Sequence, residues 1–142
     1  MLILLLDPDS STALLIASAL DASFGRLRIE LASSALEALQ AVARERPDVV
    51  IAAHPMPALG GIGLTAMLKS RPNPPVIVVV TSASAIGLDL QCRAAGVDLL
   101  LEKRHLQSRL LAFLQRRFPK AWADGTLTRR QAACARVFSS GR

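Results

Sequence analysis

The sequence predicts an α/β fold, a parallel sheet wound on both faces by helices, and three observations carry that expectation. Strand-like apolar runs alternate with helix-like segments from the first residues to about residue 118. Three of the five runs are apolar at every position, the pattern of parallel strands covered on both faces. Five strands alternating with five helices, in turn, imply right-handed crossovers and a doubly wound sheet.

The elements follow in order. "LILLL" (residues 2–6) is the first continuous run and stops at Asp7. A helix is expected from about 11 to 20, with Asp9 or Ser10 as its N-cap. "LRIEL" (27–31) alternates, which suits an edge strand. "SSALEALQAVARER" places Leu36, Leu39 and Val42 on one helical face, with Ser33 or Ser34 capping and Glu37 near the third helical position. "VVIAA" (49–53) and "VIVVV" (76–80) are continuous again, and a short helix over 62–69 between them ends at "RPNPP". "AIGLDLQCRAAG" is weakly helical and stops at Gly96, a residue suited to the left-handed cap. "DLLLE" (98–102) is the fifth strand and "LQSRLLAFLQRRF" the fifth helix. At this length the expected architecture is a flavodoxin-like (βα)5 sandwich with strand order 2-1-3-4-5. Its switch point lies between strands 1 and 3, so the functional crevice is expected at the tips "LLLDPD" and "IAAHPMP".

Composition narrows the function classes. A chain of 142 residues, 51% hydrophobic and 20% charged, is neither disordered nor repetitive. The apolar opening is too short for a signal peptide or membrane span, so a cytoplasmic protein without membrane contact is expected. Cys92 and Cys134 lack metal or redox spacing, and His54 and His105 are isolated, so no metal site is expected from them. Charge is uneven: residues 1–92 carry a net −2 and residues 93–142 a net +8. A cationic last third suits an acidic partner, whether a protein face or nucleic acid.

The crevice itself lacks the usual chemistry. There is no GxxxxGK[ST], the turn "DPDSS" has no glycine, and no serine sits between glycines at a strand tip. P-loop, dinucleotide and nucleophile-elbow readings fall away, and neither a cofactor nor an enzymatic activity is expected. An FMN enzyme of this fold needs aromatic flanks that a chain without tyrosine hardly offers.

Over residues 1–118 the chain resembles the receiver domain of two-component response regulators. "ILLLDPDS" is similar to the family's first strand with its acidic pair, and "PDVVIAA" followed by "PMPALGGIGL" to its phosphorylated strand tip and following turn. "PPVIVVVTSA" carries the hydroxyl residue, here Thr81, and "AAGVDLLLEK" the lysine, here Lys103. The resemblance implies phosphoryl transfer from a histidine kinase to an aspartate, with Mg²⁺ held by that aspartate and the acidic pair. Counting from Pro47 and from Met56 alike puts the phosphoacceptor at position 53, which is Ala53. Asp7 matches the first acid, whereas Pro8 stands in place of the second and Asp9 comes one residue late. One carboxylate without a nucleophile does not suit metal-assisted transfer. The resemblance therefore implies a pseudo-receiver with a degenerate site at Asp7, Pro8, Ala53, Thr81 and Lys103, in which Lys103 is free to pair with Asp7 and Thr81 to hydrogen-bond at its strand end. Leu100 occupies the position where the family often has an aromatic switch residue, and the family's lysine is normally followed by proline where this chain has Arg104.

Family members dimerise or dock partners through the face built from the fourth helix, fifth strand and fifth helix. Here that face covers about residues 86–118 and carries Arg93, Arg104, Arg109, Arg116 and Arg117 as candidate contacts, with Leu110, Phe113 and Leu114 available to core or interface. Residues 119–142 are expected as a linker and a C-terminal helix, capped by Thr126 or Thr128, with Leu127, Ala133, Val137 and Phe138 on its apolar face and Trp122 as an anchor. The preferred reading is a phosphorylation-independent interaction module with a protein partner and a homodimeric state. The alternative is a DNA-associated regulator whose basic third contacts phosphates, "LTRRQ" being weakly similar to the first helix of a helix-turn-helix output domain; a recognition helix is not expected before Arg142.

Overall fold

In the computed structural model the described residues are 1–7, 10–21, 28–54, 61–82, 86–119 and 136–139. They form β1 (Leu2–Leu6), α1 (Ser10–Asp21), β2 (Arg28–Ala32), α2 (Ala35–Arg44), β3 (Val49–His54), α3 (Gly61–Lys69) and β4 (Val76–Thr81). A 3-10 turn (Ile86–Leu88) leads into α4 (Asp89–Ala95), followed by β5 (Leu99–Glu102), a second 3-10 turn (Lys103–His105), α5 (Leu106–Arg117) and β6 (Arg136–Ser139).

All strand pairs are parallel, and the sheet order is β5-β4-β3-β1-β2-β6. The first five strands thus take the expected 2-1-3-4-5 order. The two faces of the sheet are sorted by residue parity, as strand geometry requires. Ile3, Leu5, Val49, Ile51, Val78 and Val80 pack with Ile16, Leu20, Leu110 and Leu114 of α1 and α5. Leu4, Leu6, Val50, Ala52, Ile77 and Val79 pack with Ala38, Ala41, Leu64 and Leu68 of α2 and α3.

Local signals explain the helix ends. Ser34 caps α2, its hydroxyl accepting from the Glu37 amide at 3.2 Å, while the Glu37 carboxylate accepts from the amide and hydroxyl of Ser33. Both serines named from the sequence therefore take part in one capping box. Gly96 ends α4 in the left-handed region at φ 93°, its amide donating to the carbonyls of Cys92 and Arg93.

The tail departs from expectation. Val137 and Phe138, expected on a helix, belong to β6, which pairs with β2 from Arg28↔Arg136 to Leu31↔Ser139. An open strand edge offers a ladder of unpaired backbone groups, and a β-branched and aromatic pair suits that ladder better than an isolated short helix. As a result β2, expected at the sheet edge, lies between β1 and β6. The rest of the expected tail helix, with Trp122, Thr126, Leu127, Thr128 and Ala133, lies outside the described residues, as does the candidate cap Asp9.

Gly96 gives a direct test of the α4 cap. A Cβ there would lie 3.1 Å from Lys69 Cγ, in a conformation that L side chains rarely adopt. Gly96→Ala is expected to lower stability by about 1–2 kcal/mol, measured by urea denaturation.

Candidate functional site

The carboxyl ends of β1, β3, β4 and β5 lie side by side and bring the expected positions together. Leu6 pairs with Ala52, Ala53 with Val80, His54 with Thr81, and Thr81 with Glu102. Asp7 follows β1 directly, its amide donating to the Ala32 carbonyl at 3.1 Å, and Lys103 follows β5. Thr81 is fully buried, Ala53 and Asp7 are half-buried, and Lys103 is exposed. Pro8 lies outside the described residues. The ion pairs recorded among the described residues do not include one between Lys103 and Asp7.

Parity separates the tip residues. Ala53 continues the Val49–Ile51 row on the α1/α5 side, whereas His54 continues the Val50–Ala52 row on the α2/α3 side. His54 Nδ1 is buried without a hydrogen-bond partner among the described residues. Leu100 packs, partly buried, against the α2/α3 cluster.

Mg²⁺ takes several oxygen ligands in near-octahedral geometry. The described tip residues offer the carboxylate of Asp7 and that of Glu102, and the latter receives Arg104 at 2.7 Å. No group of three His, Cys, Asp or Glu side chains suited to a metal comes together among the described residues. The described donor set does not fit the ion.

The second candidate surface is α4, β5 and α5. Arg93 is exposed and pairs with Asp89 at 3.2 Å one turn away; Arg104 is held by Glu102. Arg109, Arg116 and Arg117 are exposed on α5, and Arg117 lies 5.6 Å from the Phe118 ring centre. Leu110 and Leu114 are core residues and Phe113 packs partly buried against the same cluster. The apolar contribution to this surface instead comes from Ile86 and Leu90, 90% and 80% exposed at helical spacing. Sequence reasoning missed both, because an apolar residue in a helical segment is ordinarily assigned to the core.

Comparison with known proteins follows from this geometry. The family model for the response regulator receiver domain matches residues 3–115. The chain belongs to the receiver family. Response regulator MprA of Mycobacterium leprae is 33% identical over 106 residues, 72% of this chain and 46% of that protein. The receiver chain therefore spans about half the length of the curated relatives it matches. Among solved structures, the signal receiver domain of a DNA-binding response regulator from Colwellia psychrerythraea 34H superposes with TM-score 0.78 at 20% identity, covering 84% of this chain and 98% of that one. The Mn²⁺-bound form of response regulator Rcp1 superposes with TM-score 0.69 at 18% identity, over 80% and 91% of the two chains. These likenesses support the fold. No helix among the described residues is long and apolar enough to cross a membrane.

Cys92, on the buried side of α4, is 2% exposed. Burial, and then the charge of Asp89, push its thiol above the ordinary range. Through the window between the unfolded and folded values the unfolded chain has lost a proton that the folded chain keeps, so stability falls as pH rises there and is unaffected below it. In a Cys134→Ser background, a thiol reagent at pH 8 is expected to label the native receiver at least tenfold more slowly than the urea-unfolded chain; equal rates would contradict a buried, protonated thiol.

Proposed function

We propose that this receiver signals without phosphorylation, as a pseudo-receiver that docks a protein partner or a second copy of itself through the α4-β5-α5 face. The observation that carries this reading is the methyl group at Ala53, half-buried at the tip of β3 where the family resemblance places the phosphoacceptor. Covalent transfer needs a nucleophile, and a methyl group supplies none. The single described carboxylate of β1 points the same way, since charge on a transferring phosphoryl group needs a well-ligated cation beside it.

With the covalent input removed, activity rests on surfaces. Ile86 in the 3-10 turn and Leu90 at the start of α4 together expose apolar area that a folded domain gains by covering. Around them the chain is cationic, and among the described residues no carboxylate pairs with Arg109 or Arg116. An acidic-rimmed apolar partner face complements this arrangement. Arg93 and Arg104, each already paired within the domain, are better suited to orienting contacts at the rim than to anchoring them.

The net +8 of residues 93–142 favours a second reading, a DNA-associated regulator using this basic third. One of the similar solved structures is described as a DNA-binding response regulator of the LuxR family. The readings differ in salt response, because each phosphate contact contributes a log-log slope of about −0.9.

Restoring the acceptor alone is expected to leave the protein unphosphorylated: Ala53→Asp incubated with acetyl phosphate and Mg²⁺ should show no added phosphoryl group by intact mass. Stoichiometric labelling of that variant would sink the proposal's account of the β1 tip. In parallel, Ile86→Glu with Leu90→Glu is expected to weaken self-association or partner capture at least tenfold, measured by sedimentation and by binding to immobilised protein after nuclease treatment. Binding that vanishes with nuclease and falls steeply with salt supports the DNA reading instead.

A further inference from the structure

A cavity at the opposite, amino-terminal end of the sheet has no role in the function proposed above. It is a groove open to solvent, of about 240 Å³, between the carboxyl end of α2, the carboxyl end of α3 and the loop leading into β4. Val42 lies at its base above the fully buried Leu68, Pro72 and Pro75 form its wall, and Arg46 and Arg71 its rim. We propose that this cavity is a binding site for a small organic anion, a single-ring or short aliphatic body carrying one carboxylate or phosphate.

Three features of the cavity carry the assignment. The first is charge. The acidic residues flanking Arg46 in sequence are engaged elsewhere: Glu45 receives the Arg28 guanidinium through both oxygens, and Asp48 accepts from the Leu2 amide at 2.8 Å. Arg44 is drawn away to Glu30 at 2.8 Å, and Lys69 to Asp98 at 2.7 Å. Arg46 and Arg71 have no carboxylate partner among the described residues, so both planar forks are available for an anion they can bind in bidentate fashion.

The second is preorganisation. Pro72, Pro74 and Pro75 each fix one backbone angle of the wall, and Asn73 holds a left-handed turn at φ 51° between them. The Pro75 carbonyl is held in turn by Lys69 Nζ at 2.9 Å. A wall set before binding loses little entropy on binding.

The third is size. A cavity of about 150 Å³ accommodates benzene, and drug-sized ligands use roughly 300 Å³ or more. The observed 240 Å³ therefore suits one ring with a charged substituent. Both arginines also stand beyond helix carboxyl ends, where any cation is favoured. A lysine preserves that role and removes the fork, which separates the two functions experimentally.

The test is amide NMR titration of the full chain with benzoate, phenyl phosphate, inorganic phosphate and neutral benzyl alcohol. Saturable shifts at Ala43, Arg46, Arg71 and Asn73 are expected with benzoate or phenyl phosphate, and the tighter of the two names the head group. The Arg46→Lys, Arg71→Lys double variant is expected to bind at least tenfold more weakly while its remaining spectrum is unchanged. Absence of saturable shifts with both organic anions overturns the proposal. So does equal affinity in the double variant, or binding of benzyl alcohol or inorganic phosphate as tight as that of the better organic anion. None of these outcomes depends on how the receiver signals.

Discussion

A parallel sheet with helices on both sides has no wet face, and everything else in this domain is arranged around that constraint. In β1, β3 and β4 nearly every side chain enters one of two cores, so those strands have almost no room for polar chemistry along their length. Polar and charged residues are driven to the strand ends and helix exteriors. The two candidate sites accordingly lie at opposite ends of the sheet, and the cationic surface proposed for docking lies on its flank.

Where the determinants are local, the chain is legible. Unbroken apolar runs located β1, β3 and β4 to within a residue, because strands buried on both faces tolerate nothing else. The serine pair before α2 and the glycine after α4 announced their helix ends through chemistry confined to a few residues. The landmarks Asp7, Ala53, Thr81 and Lys103 were placed by resemblance to the receiver family's motifs, which sit at the ends of these same runs. What could not be read depends on distant partners. Glu30 is 8% exposed in β2 and is answered by Arg44 from the end of α2, a pair that no motif reports. The strand identity of residues 136–139 comes from β2, whose free edge outweighs a local helical pattern. The amino-end cavity exists only where two helix ends and a proline-rich loop converge.

The tip of the sheet also shows how much of its arrangement rests on backbone rather than on side-chain chemistry. Thr81 remains fully buried and Asp7 keeps its backbone hydrogen bond to Ala32 beside a residue that offers neither charge nor nucleophile. The alignment of these strand tips is set by backbone register, and register is indifferent to which side chain stands at position 53.

The pairing of β6 with β2 has a consequence in time rather than in space. Arg28 and Arg136 meet across more than a hundred intervening residues, the longest separation of any strand pair in the sheet. The other ladders can form while the chain is still being made, but this one must wait until the last turns of α5 have been synthesised and have left the ribosome. The ladder has four residue pairs, as many as β1–β3 and β4–β5, but it closes a much longer loop, whose entropic cost rises with length. Until the sixth strand arrives, the nascent domain presents β2 as an open edge to any other chain nearby.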